Sequence, residues 1–402
     1  MTRSQNIFEK QLDALRDQDL LRTLKPVEDR QGKEITLNGS ACLNLSSNDY
    51  LGLATDRALA REFYQGMDDE NLISAFGLGS SSSRLLAGNF SLYTDLEDEI
   101  CGLYQREGAL VFNSGYHANI GMIPALAQEG DLILSDSLNH ASIVDGIRLS
   151  KARCMIFDHN DLTMLEALLK EQGPKFNQTL IITESVFSMD GDLADLPALT
   201  ALKERYGAML YVDEAHSAGV YGRGGLGLCE ATNTMDRVDV ILGTCGKALA
   251  SHGAYVVTHR VIRDILVNRM RSLLYTTALP PVAVNWNLFI MERLAGFNDR
   301  RERLAAVSRE LRHQVRAAGL STPGESHILP VLTYDNATAV SLAAHLLEKG
   351  FLCYPIRPPT VPRDQSRIRI SLSADMDSSD LAGLVPMIQG AVIPETKGET
   401  HG

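Results

Sequence analysis

The chain has 402 residues, 45% of them hydrophobic and 22% charged, with a formal net charge of −12. At roughly 100–200 residues per domain this length predicts two or more domains, or one large one with an appendage, in an ordinary soluble protein. The acidic balance argues against non-specific binding to nucleic acid or to an anionic membrane. Six dispersed cysteines, Cys42, Cys101, Cys154, Cys229, Cys245 and Cys353, form no CxxC pair, so reduced core thiols are expected rather than a disulfide framework or a metal site.

The first residues, MTRSQNIFEK, carry no apolar leader core, and nowhere is there a run of about 18 uncharged apolar residues. A cytoplasmic protein is expected. Residues 5–25 have leucines and an isoleucine at helical spacing, and Asn44–Gly52 reads as a polar turn segment. From 108 onward short β-type runs follow one another: ALVF (109–112), LILS (132–135), CMIF (154–157), LIITES (180–185), MLYVDE (209–214), VDVILG (238–243) and AYVV (254–257). Helical patterns at 116–128, 140–151, 161–171 and 196–206 lie between them. Continuous apolar strands alternating with helices predict a parallel sheet covered on both faces. Beyond Pro280-Pro281 a long helix over 282–319, the run HILPVLTY, a helix at 337–349, two further β-type runs and a last helix near 377–390 predict a smaller α+β domain. The expected layout is an N-terminal segment (1–55), a large domain (56–285), a small C-terminal domain (286–392) and a disordered tail (393–402).

In such sheets ligands bind beyond the carboxyl ends of the strands, and the unusual residues gather there. Asn113-Ser114-Gly115-Tyr116 follows ALVF and opens a helix, whose first amides can hold a phosphate; an ordinary strand-to-helix turn is the plain alternative. Asp213 ends MLYV with His216 three residues on. A carboxylate there can stabilise a bound cation or simply cap a helix. His140 again follows a strand, where a structural histidine would serve as well. Lys247 follows VDVILG among small residues, in DVILGTCGKALASHG (239–253). Such a lysine can be a desolvated Schiff-base amine or an ordinary side chain reaching solvent.

Two familiar patterns fail. Gly222-Arg223-Gly224-Gly225-Leu226-Gly227 has glycine spacing for a dinucleotide but no strand–turn–helix setting. Gly246-Lys247 lacks the earlier glycine and the following hydroxyl of a phosphate loop, because those positions are Ile241 and Ala248. Lysine, strand-end carboxylate and helix-end amides together are the set that pyridoxal phosphate requires.

Longer motifs carry a resemblance. SSNDYLGLA (46–54), FNSGYHAN (112–119), DSLNHASIVDG (136–146), ESVFSMDGD (184–192), VDEAHSAGVYGRGGLG (212–227), GTCGKAL (243–249), LLYTTALPP (273–281) and IRPPTVP (356–362) make the chain resemble the α-oxoamine synthases over nearly its whole length. These are fold-type I pyridoxal-phosphate enzymes. The resemblance implies a large domain with a mostly parallel seven-stranded sheet and a smaller C-terminal domain. It implies pyridoxal 5'-phosphate as cofactor and a cytoplasmic homodimer with its active sites at the subunit interface.

By resemblance Lys247 is the Schiff-base lysine and proton shuttle, Asp213 the partner of the pyridine nitrogen, His216 the ligand of the ring oxygen and His140 the residue stacked on the ring. Gly115, Tyr116, Ser188 and Thr244 line the cofactor, and Thr276 reaches the phosphate held by the partner subunit. Arg357 matches the grip on the amino-acid carboxylate, and Arg22, Asn48, Glu184 and Thr360 match other substrate positions.

Family members condense an amino acid with an acyl thioester on coenzyme A or acyl carrier protein, releasing carbon dioxide and the thiol. IRPPTVP and LLYTTALPP resemble members that join L-alanine to a pimeloyl thioester. DSLNHASIVDGIRLSKA and GTCGKAL resemble those that join glycine to acetyl-CoA. The first reading is favoured because IRPPT lies where substrate is gripped. An ordinary aminotransferase would need only the cofactor half of the set, and a non-catalytic binding protein none of it. Serines over Ser80–Ser83, where the family often has glycines, and the pair Ser251-His252 depart from the family pattern. Arg357, Arg363, Arg367 and Arg369 are candidates for a basic rim toward an acidic carrier protein, with a solvated basic strand edge as the equal alternative.

Overall fold

The protein is described here by a computed structural model covering residues 3–392, so the tail expected at 393–402 lies outside the described residues. Its chain divides into two compact units. One combines the N-terminal segment up to Tyr50, the short piece Met189–Asp192 and the chain from Glu302 on; the other holds Leu51–Ser188 and Leu193–Arg301.

In the first unit a helix spans Arg3–Asp17. It ends well before residue 25, because Asp19 turns to a φ of 54° and the amides of Leu20 and Leu21 fold back onto the Leu15 carbonyl. Three short strands follow: β1 (Asp29–Gln31), β2 (Glu34–Leu37) and β3 (Ser40–Asn44). Asn38 and Gly39 both take positive φ between β2 and β3, the conformation a tight hairpin turn needs.

The second unit contains β4 (Gly108–Phe112), β5 (Leu132–Asp136), β6 (Arg153–Phe157), β7 (Thr179–Glu184), β8 (Met209–Asp213), β9 (Val240–Thr244) and β10 (Ala254–Thr258). They form one seven-stranded sheet in the order β4-β10-β9-β8-β7-β5-β6. All neighbours are parallel except β10, which runs antiparallel to both β4 and β9. The expected mostly parallel sheet is therefore present, with one reversed strand. Every residue of β4, β5, β7, β9 and β10 is buried, which is why these segments read as unbroken apolar runs. Leu110, Met122, Ile133, Ile143, Ile182, Leu242 and Val256 belong to one apolar cluster that fixes helices Gly115–Leu126 and Ala141–Leu149 to the sheet.

The C-terminal part of the first unit contributes β11 (Ile328–Tyr334), β12 (Phe351–Leu352), β13 (Tyr354–Ile356) and β14 (Ser366–Ser371), in a sheet ordered β11-β14-β13, while β12 pairs in parallel with β3.

This pairing corrects the expected boundaries. Residues up to Tyr50 are not a separate arm but share a sheet with the C-terminal part, and the boundary expected at 285 falls inside the helix Pro281–Met291, which packs on the helix Ser91–Tyr104. The helix expected over 282–319 is broken by a turn at Leu294–Phe297, where Gly296 weakens the helix, and resumes as Asn298–Ala317. The last helix begins at Leu384, after Gly383 at a φ of 80°. No helix among the described residues is long and apolar enough to cross a membrane.

Candidate active site

The parallel strands of the second unit deliver their carboxyl ends to one edge. Glu184 and Asp213 end β7 and β8 in direct register, and Asp213 is level with Leu242 on β9. The antiparallel β10 leaves from this same edge, since Ala254 pairs with both Phe112 and Thr244. The reversed strand thus makes the Cys245–Gly253 segment, with Lys247 in it, a tight loop at the edge rather than a crossover.

Lys247 is half-buried, and its Nζ lies 2.7 Å from His216 Nε2. The loop is held by Cys245 N–H donating to Gly253 O and Ser251 N–H donating to Cys245 O, 3.0 and 2.9 Å. Gly219, at a φ of 88°, lies against it so closely that a Cβ there would sit 2.7 Å from Ala248 Cβ. Cys245 is fully buried, its thiol pushed up to about 12, so it is no nucleophile at neutral pH.

Asp213 is buried and both its oxygens accept hydrogen bonds: Oδ1 from the Ala215 amide and Oδ2 from Asn119 Nδ2, each at 2.9 Å. Beside it Glu184, also buried, accepts the His140 amide at 2.6 Å. Burial first, and then the Asp213 charge, push the Glu184 carboxyl well above the ordinary range against the opposing Lys247 charge. The His140 ring is pushed the other way, chiefly by burial and further by Lys247, with Asp213 and Asp145 opposing. It remains solvent-accessible nonetheless. Its Nδ1 accepts the Ser142 amide and so caps the helix Ala141–Leu149.

At the other side of the edge Ser114 caps the helix Gly115–Leu126 by accepting the His117 amide, an arrangement that stabilises a helix by ~1 kcal/mol. The amides of Gly115 and Tyr116 come just before it, and a Cβ on Gly115 would lie 4.0 Å from Thr244 Oγ1. That hydroxyl donates to Gly253 O at 3.2 Å. The Tyr116 ring is exposed and its hydroxyl donates to Asp145 at 2.5 Å. Ser188 is buried and ends the stretch Leu51–Ser188 of the same unit. Thr276 is elsewhere in this unit, on a cavity of about 810 Å³ whose lining includes His117, Arg269, Arg271 and Tyr275 but none of Lys247, His140 and Asp213.

The set fits pyridoxal phosphate: an amine on a tightly held loop, a carboxylate with both oxygens fixed as acceptors, an accessible imidazole, and helix amides beside a threonine hydroxyl. The GRGGLG loop has a different task. Its Gly224 and Leu226 amides donate to Glu230 at 2.8 and 2.9 Å, so it is folded on its own carboxylate.

Of the expected substrate residues, Glu184 belongs to this unit, whereas Arg22, Asn48, Arg357 and Thr360 belong to the other. Arg22 Nη2 donates to Thr360 Oγ1 at 3.3 Å, and Arg357 donates to the Asp19 carbonyl. Burial, with Arg22 nearby, lowers the Arg357 pKa. Asn48 accepts from Tyr50 OH at 3.0 Å and from Arg369 at 3.4 Å. The suggested basic rim loses a member: Arg367 is 1% exposed and bound to Asp190, Met189 O and Gln365 O.

Asn119 and Ser142 escaped sequence reasoning as site residues, although both stand inside the motifs quoted above. The available signal was position: Asn119 lies four residues beyond Gly115, one helical turn, and Ser142 two beyond His140.

Known proteins resemble this chain along most of its length. A model of aminotransferase class I and II matches residues 40–388. The chain belongs to that family. It is 48% identical over 380 residues to the 8-amino-7-oxononanoate synthase of Chlorobaculum parvum, covering 94% of this chain and 97% of that protein. It is equally 48% identical over 377 residues to a putative 8-amino-7-oxononanoate synthase of Neisseria meningitidis, covering 94% and 98%. Among solved structures, serine palmitoyltransferase from S. paucimobilis with a bound PLP–myriocin aldimine superposes with a TM-score of 0.86 at 29% identity, covering 96% of both chains. The 8-amino-7-oxononanoate synthase of Francisella tularensis gives 0.75 at 27%, covering 87% of this chain and 98% of that one. Within the aminotransferase family the chain is an α-oxoamine synthase, a fold-type I pyridoxal-phosphate enzyme and a C-acyltransferase by class.

Proposed function

We propose that this enzyme joins L-alanine to a pimeloyl thioester, carried by coenzyme A or acyl carrier protein, to form 8-amino-7-oxononanoate for biotin synthesis. It does so in the cytoplasm as a homodimer. The observation that carries the reading is 48% identity along 94% of the chain to a relative of that name.

Lys247 supplies the amine that holds the cofactor, and the same Nζ takes the α-proton of the amino acid once released. Bound pyridoxal phosphate supplies an electron sink for the carbanion at the amino acid's α-carbon. Asp213 holds the pyridine nitrogen through an oxygen pair already oriented as acceptors. His216 orients Lys247 and the ring oxygen, and His140 covers the ring. Gly115, Tyr116, Ser188 and Thr244 hold the ring oxygen and phosphate, with Thr276 of a second copy completing the phosphate site. Arg357 pairs with the substrate carboxylate, and Arg22, Asn48, Glu184 and Thr360 are the further substrate positions that the family resemblance implies. The new bond joins the α-carbon to the thioester carbonyl, the thiol leaves, the carboxylate departs as carbon dioxide, and the α-carbon takes back a proton from Lys247 to give the amino ketone.

A thiol-release assay crossing alanine, glycine and serine with pimeloyl and acetyl thioesters tests this. Alanine with the pimeloyl thioester is the expected best pair. Glycine with acetyl-CoA as best pair would make the enzyme a 2-amino-3-ketobutyrate coenzyme A ligase. Amino transfer to a keto acid without thiol release would make it an aminotransferase.

A further inference from the structure

A continuous buried path of hydrogen bonds joins the Asp213 carboxylate to the His140 ring. Asn119 Nδ2 lies 2.9 Å from Asp213 Oδ2 and 3.0 Å from Ser142 Oγ, and Ser142 Oγ lies 2.8 Å from His140 Nδ1. At the far end Tyr211 OH lies 2.5 Å from Asn119 Oδ1. Asn119 is 1% exposed, Ser142 2% and Tyr211 fully buried.

The donors along this path are determined. A carboxylate only accepts, so Asn119 presents its NH₂ to Asp213, and its Oδ1 must then receive the Tyr211 hydroxyl. The second hydrogen of the same NH₂ goes to Ser142 Oγ. The Ser142 backbone N–H, 3.2 Å from His140 Nδ1, can only donate, so Nδ1 carries a lone pair. Ser142 O–H, having received from Asn119, donates to that same Nδ1. The neutral imidazole therefore has its proton on Nε2.

We propose that Asn119 and Ser142 are positioning residues that couple His140 to Asp213, holding His140 Nδ1 as an acceptor and the imidazole at a fixed attitude to the carboxylate. The proposal rests on the reading of His140 and Asp213 as the pair that faces the cofactor ring. The end of β8, through Asp213, and the helix Ala141–Leu149, through Ser142, are thereby tied to one amide, so neither group can turn without disturbing the other. The charged groups acting on His140 are Asp213, Lys247 and Asp145, with the Glu184 carboxyl at its backbone amide. Ser142 adds the dipole that favours the neutral ring.

The test uses full-length protein labelled with ¹⁵N-histidine and stripped of cofactor, with His140→Gln to identify the His140 signals. The parent should show the Nε2–H tautomer. In Ser142→Ala the longer amide contact alone remains, so the Nδ1–H fraction should rise and the His140 titration midpoint should move upward. Ser142→Thr, which keeps a hydroxyl, should restore both. Asn119→Ala should move both in the same direction as Ser142→Ala; if it does not fold, Ser142→Ala decides alone. In the loaded enzyme Ser142→Ala should lower kcat by about tenfold to a hundredfold with little change in the KM for the amino acid, as expected for lost orientation. An unchanged tautomer ratio and midpoint in Ser142→Ala would overturn the proposal. The nuclear magnetic resonance readout needs no substrate, so a failed condensation assay and a failed relay are separate results.

Discussion

Lys247 Nζ and His216 Nε2 meet at 2.7 Å across the ends of neighbouring strands. An ammonium donates and the imidazole nitrogen facing it accepts, so the pair is compatible with a cationic lysine beside a neutral histidine. The contact exists because β8 and β9 are parallel partners and each places its polar residues just past its last apolar one.

Lys247→Ala should abolish thiol release, by about a thousandfold or more, as for a lost nucleophile. Borohydride treatment followed by intact-mass measurement should add the cofactor's mass to the parent and nothing to the variant. Covalent retention of cofactor by the variant would exclude Lys247 as the attachment point.

Asp213→Asn replaces a carboxylate held by the Ala215 amide and by Asn119 with a group that turns an NH₂ toward one of these donors. The activity should fall about a hundredfold or more, the scale of a lost preorganised charge. Steady-state kcat for the alanine–pimeloyl pair measures it, and a value within threefold of the parent, on the order of 0.7 kcal/mol, would count against the assigned role.

Glu184 gives a pH signature. Its pKa in the folded chain is raised, so between its unfolded value, ordinarily ~4.3, and its folded value the native state holds the extra proton. Stability from this group is fully present below the unfolded value and is lost as pH rises through the folded one. Melting temperatures of the cofactor-free chain should therefore decline less with rising pH in Glu184→Gln than in the parent. Parallel curves would show that Glu184 is not the group responsible.

Gly219→Ala places a methyl 2.7 Å from Ala248 Cβ on a backbone with a φ of 88°. The combination of crowding and a left-handed conformation should cost about 2–4 kcal/mol. Because Ala248 adjoins Lys247, kcat should fall as well. Chemical denaturation measures the first effect and thiol release the second.

Arg367 and Asp190 form a pair in which the arginine is 1% exposed. Arg367→Ala should destabilise by about 3–5 kcal/mol by leaving a partner unpaired, while Arg367→Met combined with Asp190→Leu should recover most of that loss. Urea midpoints of the two variants check the pair, and equal midpoints would refute it.

Much of the large sheet was legible because β4, β5, β7, β9 and β10 are buried along their whole length and need no alternation; the runs from ALVF to AYVV all became strands. The residues at the strand ends were legible for the same reason, since a polar group just past an apolar run has to serve something. The small sheet near the N-terminus was not read, although Asn38-Gly39 is a hairpin signal. Its strands are three to five residues long and mostly half-exposed, so their apolar pattern is faint.

The sequence by itself determined the strand segments, the chemical types at their ends and the family, because local burial patterns and motif residues are written along the chain. Only the tertiary structure decided that β10 is reversed, that β3 pairs with β12 and so unites the two ends of the chain, and that Asn119 reaches Asp213 across 94 positions. The physical reason is range. Propensity and periodicity act over a few residues, whereas strand order and buried hydrogen-bond partners depend on which distant surfaces pack together and leave no polar group unsatisfied.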